Sequence, residues 1–490
     1  MSKTQPNIIL MFTDQQRHDT VGERSPDWLR TPHLDQMARN GITFRRAYSD
    51  CPICVPARST VMTGRYAFSH GMMSNRSSSE VLGHVGTLPD RMHQLGYQTL
   101  GVGKMHFEPY RARHGFDECQ IAADYHAEML KNGHALQPMR HGLGQCEMYP
   151  GMATVPEAQT YTSWTAEQCV DFIRNRRDTT RPFFLWCSFA KPHPPFDPPE
   201  PYYSMYRDPA IPIPEPVIGD WAQSSQWPPA YARIMQTQNY DNLPPAVIRA
   251  ARAAYYGLVT QIDYNIGRVI ASLHDRRLMD NTMIVFASDH GEYLCDHHGG
   301  GKGFFHEASA HIPFIVMPPT GSEPEHCGTV SDQLVCLADL LPTFVAAGGG
   351  TADDVDGYDI LQAERGQRPA RDYLEGTAHN FPGEPNWYWA ITDGRWKYIW
   401  YPEGSIEQLF DVQSDPDERT NLAGRTEHAG QKERLRREMV RRHERRSSAA
   451  VEGGQMKNRP PVTAGDSERE RRSRMWSGLH TEYLDHDVQH

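Results

Sequence analysis

The chain has 490 residues, which is long enough for one large domain and a smaller one around a substantial buried core. Its net charge of -11 excludes a broadly basic surface for nucleic acid, so an anionic ligand must be attracted by a local group of positive side chains. Nine scattered cysteines do not indicate a secreted disulfide framework, and without a signal sequence or a transmembrane run we predict a cytoplasmic protein with no membrane partner.

Two apolar runs far apart along the chain are each followed by an aspartate. Residues 8–12 precede Asp14, and residues 281–288 precede Asp289. A continuous apolar run rich in β-favouring residues is typical of a strand buried on both faces. Because ligands bind outside the carboxyl ends of parallel strands, we expect the two carboxylates to meet at one edge of a sheet.

Between these runs, helical and strand-like segments alternate along the chain. The predicted helices cover residues 31–41, 88–96 and 163–176, and the predicted strands cover residues 42–47, 98–103 and 183–189. This alternation predicts an α/β fold with a large, doubly wound, mostly parallel sheet flanked by helices.

Residues 194–245 are rich in Pro, Tyr and Trp and predict an irregular insertion. A long loop of this kind is either a lid over a pocket or a passive surface segment. Residues 247–276 then show helical periodicity, and their apolar stripe is expected to lie in the core rather than at a ligand site.

The last quarter of the chain carries short aromatic strands with turn residues between them, followed by a basic helix over residues 431–446. This pattern predicts a smaller C-terminal α+β subdomain with a short antiparallel sheet. The chain is therefore predicted to contain a catalytic domain, the subdomain and a polar tail, at residues 1–370, 371–447 and 448–490. The tail is either a solvated segment or an oligomerisation arm.

A thiol stands beside a predicted helix start in residues 51–65. Pro56 is tolerated in a first helical turn because its missing N–H needs no partner there, so a helix is expected to begin next to Cys54. A helix N-terminus attracts anions, and Arg58 adds a guanidinium suited to an oxyanion. Cys51-x-x-Cys54 also fits half of a zinc site or a redox pair, but no second cysteine pair and no thioredoxin-like context follows.

The two strand ends offer ligands for a divalent cation. Asp14 is followed by Gln15, and Asp289 is followed by His290. Carboxylate and amide oxygens favour Ca²⁺ or Mg²⁺, and the imidazole also admits Mn²⁺. One such aspartate alone fits a helix cap equally well, whereas two in matching contexts near a thiol favour a metal site.

Positive side chains follow other strand ends. If the chain stays extended after residue 103, Lys104 and His106 point to one side while Met105 packs on the other. His193 lies at a proline-rich strand break, and Lys302 lies in a glycine-rich segment that lets backbone approach an anion closely. Taken alone, each of these residues could equally be an ordinary exposed side chain on the protein surface.

The sequence Cys54-Val55-Pro56-Ala57-Arg58, followed by Thr63-Gly64-Arg65, resembles the Cys-x-Pro-x-Arg signature of type I, formylglycine-dependent sulfatases of the alkaline phosphatase superfamily. The resemblance extends to Gly-Lys-x-His at Lys104 and covers the chain from Asp14 to the C-terminal strands. It implies that a maturation enzyme converts Cys54 to formylglycine, whose hydrate is the nucleophile.

The resemblance also implies the roles of the remaining site residues. The catalytic set is Cys54, Arg58, Lys104, His106, His193 and Lys302, with Asn75 contacting substrate. The metal set is Asp14, Gln15, Asp289, His290 and residue 54, and Ca²⁺ is the first expectation. Sulfatases often carry a second Asp where Gln15 stands and an Asn where His290 stands, which makes this site less negative.

We therefore expect hydrolysis of a sulfate monoester, aryl or small organic, with additional activity on phosphate and phosphonate esters. Phosphonate monoester hydrolases and phosphodiesterases of the same superfamily resemble this chain at Gln15, His290 and Asn75, but usually carry Tyr and Thr where Lys104 and His106 stand. A non-catalytic protein that binds a sulfated ligand is the other alternative if Cys54 is unmodified. A homo-oligomer, formed through the tail, is also expected.

Overall fold

A computed structural model describes residues 5–75, 82, 86–133, 143, 148–223, 227–232, 243–322, 325–379 and 387–460, and the structural statements below concern these residues. The strands are β1 (Asn7–Asp14), β2 (Ile42–Tyr48), β3 (Gln98–Gly103), β4 (Glu118–Gln120), β5 (Phe183–Pro192), β6 (Thr282–Ser288), β7 (Phe314–Met317), β8 (Thr329–Cys336), β9 (Leu374–Ala378), β10 (Tyr388–Thr392), β11 (Trp396–Tyr401), β12 (Ile406–Asp411), β13 (Val451–Glu452) and β14 (Gln455–Met456).

The α-helices of the described residues lie between these strands and around them. They are α1 (Pro32–Asn40), α2 (Cys54–Thr63), α3 (Ala67–His70), α4 (Leu88–Gln94), α5 (Ala122–Lys131), α6 (Tyr161–Asp171), α7 (Tyr202–Met205), α8 (Pro245–Asp275), α9 (Glu307–Ala310), α10 (Leu340–Ala347), α11 (Ile360–Glu364) and α12 (Ala429–Arg445). Among the described residues, no helix combines the length and the apolar character that crossing a bilayer requires.

The large sheet has eight strands in the order β4-β3-β5-β1-β6-β7-β2-β8. Only β7 runs antiparallel to its neighbours β6 and β2, and the other pairs in this sheet are parallel. The predicted mostly parallel sheet is therefore confirmed. With β1 between β5 and β6, the carboxyl ends of these three strands lie side by side.

Both faces of β1 are covered, as its continuous apolar run predicts. Ile8, Leu10 and Phe12 pack into one hydrophobic core, and Ile9 and Met11 pack into a second core on the opposite face. A strand buried on both faces needs no polar alternation, because helices cover the sheet on each side. This arrangement confirms the doubly wound architecture.

The predicted element bounds differ from the structure at two places. Helix α2 begins at Cys54, so Pro56 is the third residue of the first turn rather than the first residue of the helix. A proline is tolerated at either position because the N–H groups of the first turn have no intrahelical acceptor. The helix predicted over residues 163–176 is α6 followed by a π-helical turn at Phe172–Arg176.

The small sheet is antiparallel, with the order β12-β11-β10-β9, and α12 packs against it. The predicted C-terminal subdomain is therefore confirmed, whereas its boundary at residue 371 stays a prediction. The predicted tail begins with the hairpin of β13 and β14, and residues 461–490 lie outside the described part of the chain.

The described part of the insertion over residues 194–245 packs onto the body of the protein. Trp221 is buried, stacks on His306 with ring centroids 4.5 Å apart, and donates its indole N–H to the carbonyl of Glu418 at 2.8 Å. The insertion thus contacts both the catalytic domain and the C-terminal subdomain. Its role as a lid stays a prediction.

Candidate active site

Two carboxylates meet at the carboxyl edge of the large sheet, as expected from the strand ends. Asp14 ends β1, Asp289 follows β6, and both are fully buried. The guanidinium of Arg58 lies between them, 3.1 Å from Asp14 Oδ2 and 3.0 Å from Asp289 Oδ2. Arg58 is itself fully buried, so these ion pairs are shielded from water and from salt.

Helix α2 brings the thiol to the same place. Cys54 is its first residue, is 1% exposed, and lies one turn before Arg58 on the same helix face. The sulfur is 3.3 Å from His290 Nε2 and 3.8 Å from Asp14 Oδ1. Asn75 contacts this helix start, where its side-chain oxygen accepts a hydrogen bond from the Val55 N–H at 3.0 Å. The predicted substrate contact of Asn75 stays a prediction.

Four of the predicted metal ligands form one group. Asp14, Cys54, Asp289 and His290 each offer a ligand atom, and these atoms lie within 4.8 Å of one another. Gln15 lies beside this group but uses its side chain elsewhere: its oxygen accepts a hydrogen bond from Lys302 Nζ at 2.6 Å, and its N–H donates to Glu292. The role of Gln15 as a ligand therefore stays a prediction.

The electrostatics of the group fit a divalent cation. Burial and the neighbouring Asp14 raise the pKa of Asp289 to about 6. Two buried carboxylates repel each other, and a cation between them removes both the repulsion and the cost of burial. The donor set of two carboxylates, one imidazole and a group at position 54 suits Ca²⁺, Mg²⁺ or Mn²⁺.

Positive side chains determine the ionisation of Asp14 and Cys54. Burial opposes ionisation of Asp14, but the charges of Lys104 and Arg58 outweigh burial and hold the pKa of the carboxyl well below its ordinary value. Burial and Asp14 likewise oppose a thiolate at Cys54, yet Lys302 and Lys104 hold the pKa of the thiol well below its usual range. A local positive field thus surrounds position 54 in a chain whose net charge is -11.

Lys104 reaches the site as predicted, but the backbone after it is not extended. Its Nζ lies 2.5 Å from Asp14 Oδ2. The backbone of His106 has a φ of 61°, so the assumption of an extended chain is wrong there. The His106 Nδ1 is buried and has no hydrogen-bond partner among the described residues. The catalytic role of His106 therefore stays a prediction.

His193 and Lys302 complete the group of side chains whose charges interact with position 54 or Asp14. Burial and the charges of Lys302 and Lys104 hold the pKa of His193 well below its ordinary range. The Nδ1 of His193 lies 2.8 Å from the carbonyl oxygen of Pro194, and because a carbonyl only accepts, the proton sits on Nδ1 and the lone pair on Nε2. Lys302 stands between two glycines with φ of 68° and 117°, values that a residue with a Cβ rarely adopts.

Two residues of the site were not predicted from the sequence. Ser188, on β5, accepts a hydrogen bond from Arg58 at 2.8 Å and donates to the carbonyl of Lys104 at 2.6 Å. Glu292 accepts from Gln15 and from the N–H of Gly301, the latter at 2.6 Å. Both hold other site residues in place. The sequence marks them only by position: Ser188 lies near the end of a predicted strand, and Glu292 lies just after the Asp289-His290 pair.

His18, Glu307 and His311 form a second group of metal-ligand types. His18 and His311 stack with ring centroids 3.9 Å apart, and Glu307 accepts from His311 at 2.6 Å. Although His18, Glu307 and His311 are metal-ligand types, Arg24 lies 3.1 Å from the His18 Nε2 and Lys397 lies 2.6 Å from Glu307. Glu307 already accepts from Tyr48 and pairs with His311 and Lys397, so this group is described as an ion network.

Taken together, a thiol at a helix start, two carboxylates and several cations at the carboxyl edge of a parallel sheet define a hydrolase of anionic esters. The comparisons with known proteins identify the family of hydrolases. The chain belongs to the sulfatase family, because the family model described as "Sulfatase" matches residues 6–350. The model described as "N-sulphoglucosamine sulphohydrolase, C-terminal" matches residues 296–445. The resemblance inferred from the cysteine motif is thus confirmed.

Curated relatives and solved structures agree with this assignment. The chain is 32% identical to an arylsulfatase of Clostridium perfringens over 94% of this chain and 98% of that protein. It is 28% identical to a choline-sulfatase of Rhizobium meliloti over 86% and 83% of the two chains. The phosphonate monoester hydrolase of Agrobacterium radiobacter shares the fold, with a TM-score of 0.78 at 24% identity over 93% and 100% of the chains. The protein is a sulfuric ester hydrolase.

Proposed function

We propose that the protein hydrolyses an aryl or small organic sulfate monoester with a formylglycine hydrate at position 54 as the nucleophile. The observation that carries the proposal is the placement of Cys54, whose sulfur lies 3.3 Å from His290 and beside Asp14 and Asp289. As the hydrate of formylglycine, residue 54 would supply two hydroxyls. One would attack sulfur and displace the alcohol, and the other would lose its proton so that the C–O bond to sulfate breaks and the aldehyde forms again. The formylglycine-generating maturation enzyme is the first proposed partner.

A divalent cation, Ca²⁺ before Mn²⁺ or Mg²⁺, would be held by Asp14, Asp289, His290 and residue 54, with Gln15 beside them, and would act there as a Lewis acid. Positive side chains of the protein would stabilise the remaining negative charge of the transition state. Sulfuryl transfer develops charge on the equatorial oxygens, and preorganised positive groups stabilise that charge without reorganising. We assign this role to Arg58, Lys104 and Lys302.

We propose His193 as the general acid, with His106 as the alternative. In the neutral state the His193 Nε2 carries a lone pair, because Nδ1 donates to Pro194. A bound sulfate ester brings a negative charge next to the imidazole and offsets Lys302 and Lys104, which favours protonation of Nε2. The protonated Nε2 then delivers its proton to the departing alkoxide or phenoxide.

The second candidate reaction is hydrolysis of a phosphonate monoester or a phosphodiester at the same site. Gln15 and His290 favour it, since phosphonate hydrolases of the superfamily resemble the chain there. Lys104 and His106 favour the sulfate ester instead, since those hydrolases usually carry Tyr and Thr at these positions. Some activity on phosphorus esters is expected because a positive site attracts both kinds of anion.

Two measurements test the proposal. Mass spectrometry of the Cys54 peptide from protein made in its native host should show the aldehyde, and a fully unmodified thiol would contradict catalysis and favour a non-catalytic binder of sulfated ligands. Steady-state kinetics should show a higher kcat/KM for 4-nitrophenyl sulfate than for 4-nitrophenyl phenylphosphonate. A preference for the phosphonate by orders of magnitude would select the second candidate.

A further inference from the structure

A buried ion network joins the small sheet to the catalytic domain. Lys397, on β11, is fully buried, and its Nζ lies 2.6 Å from Glu307 Oε1 and 2.9 Å from Glu418 Oε1. Glu418 also accepts the backbone N–H of Glu307 at 2.6 Å, and the Tyr48 hydroxyl donates to Glu307 at 2.9 Å. Glu307, the first residue of α9, is therefore held from both domains.

The same short helix holds two segments of the active site. The carbonyl of Ser309 accepts the N–H of Gly291 at 2.7 Å, and its hydroxyl accepts the N–H of Gly303 at 3.0 Å. Gly291 follows His290, and Gly303 follows Lys302. The fit is close, since a Cβ on Gly291 would lie 2.2 Å from a carbonyl oxygen of α9. A shift of α9 must therefore move both segments.

We propose that Lys397 and Glu418 of the C-terminal subdomain are positioning residues for the hydrolase, which act through α9 on His290 and Lys302. The inference rests on the proposed function, in which these two residues hold the cation and the ester. A buried ion network contributes little net stability, because desolvation of its charges offsets their attraction, but it can impose one geometry. Misplacement of a catalytic group by about 1 Å costs roughly 10²-fold in rate.

Ser309→Ala is the most local test, because it removes one acceptor without leaving a charge unpaired. We expect faster hydrogen exchange in peptides covering residues 301–305, and a kcat for 4-nitrophenyl sulfate lower by about 10-fold or more with KM little changed. Ser272→Ala is the matched control, since Ser272 is a buried serine whose hydroxyl donates to the Val269 carbonyl at 2.7 Å in α8. It should keep wild-type kcat and wild-type exchange in this segment.

Lys397→Met tests the network itself and should speed exchange in residues 289–292 and 301–305 while lowering kcat by about 10²-fold. If that variant does not fold, Glu418→Gln takes its place, because glutamine keeps an oxygen for the Glu307 N–H but removes the charge. Wild-type exchange and kcat in the folded variants, with only a lower melting temperature, would overturn the proposal. The wild type could also turn over no sulfate ester while the variants still show faster exchange. That outcome would support the positioning role and contradict the proposed function.

Discussion

Lys104 gives the clearest prediction at the scale of a single residue, since it follows a strand end and its Nζ lies 2.5 Å from Asp14 Oδ2. Lys104→Ala should lower kcat/KM for 4-nitrophenyl sulfate by about 10² to 10³-fold, the usual cost of removing one preorganised donor. Stability should change much less, because Arg58 still pairs with Asp14 at 3.1 Å. Lys131→Ala, at an exposed helix end, is the control in steady-state kinetics and thermal melts. Full activity of Lys104→Ala would contradict its placement.

The two candidate general acids can be separated by the leaving group. Protonation matters more for a poor leaving group, so His193→Ala should lose more activity on phenyl sulfate than on 4-nitrophenyl sulfate. His106→Ala should lose equally on both esters, because in the proposed mechanism His193 delivers the proton to the leaving group. Ratios of kcat/KM for the two esters decide the matter, and the reverse pattern would assign the role to His106.

For single residues, the sequence predicts charged and nucleophilic side chains better than it predicts the side chains that hydrogen-bond to them. Asp14, Cys54, Arg58 and Asp289 follow from strand ends and a helix start, and the structure brings them together. Ser188 was missed because a serine in an apolar run has no pattern of its own, and its role depends on two partners from distant segments.

Among the elements, α1 and α8 share a contact that makes stability depend on pH. Asp263, on α8, accepts the N–H groups of Leu34 at 2.7 Å and His33 at 3.2 Å in the first turn of α1. Burial raises the pKa of Asp263 to about 7 despite these hydrogen bonds. The folded chain thus holds this proton more tightly than the unfolded chain does.

The contribution of Asp263 to the free energy of unfolding should therefore fall as pH rises from about 4 to about 7, because the unfolded chain releases the proton first. Three pKa units correspond to roughly 4 kcal/mol at most. Asp263→Asn cannot ionise and should flatten this slope in urea unfolding measured between those pH values. Asp280→Asn, at an exposed position, is the control, and an unchanged slope in Asp263→Asn would show that the carboxyl is already ionised in the folded state.

Elements with strong periodicity were predicted closely, and local irregularities were not. The helical periodicity of residues 247–276 predicted α8, whose bounds are Pro245–Asp275 and whose apolar side chains lie in the core. The positive φ of His106 and the π-helical turn at Phe172–Arg176 depend on packing against other segments. Neither feature can be recognised from the amino-acid sequence of its own segment.

For the whole molecule, the tail is the part with a testable assembly role. We propose that residues after 447 form an oligomerisation arm, since the segment is polar and highly charged and follows the last packed helix. Light scattering after size-exclusion chromatography should show a dimer or tetramer for the full chain and a smaller species for a chain ending at residue 460. The same number of protomers per particle for both chains would contradict an oligomerisation role for the tail.

The order of strands in the large sheet could not be predicted from the sequence. The strand pattern indicated a parallel sheet, but β7 fits between β6 and β2 in the opposite direction. A four-residue strand has the same apolar pattern in either direction, so only its neighbours decide. The expectation that Asp14 and Asp289 meet did not depend on this detail, because β1 and β6 pair directly.

The burial of Cys54 has a consequence for when the protein can be matured. Its contact His290 lies 236 residues further along the chain, so the pocket cannot close around the thiol until β6 has been made. At about 5 to 20 residues per second, synthesis of that stretch takes roughly 10 to 50 s. During this interval the nascent chain presents an open thiol, and afterwards the residue is 1% exposed. If Cys54 is converted to formylglycine as proposed, the conversion must take place before the pocket closes, so the active fraction depends on how fast the modifying enzyme acts relative to synthesis and folding.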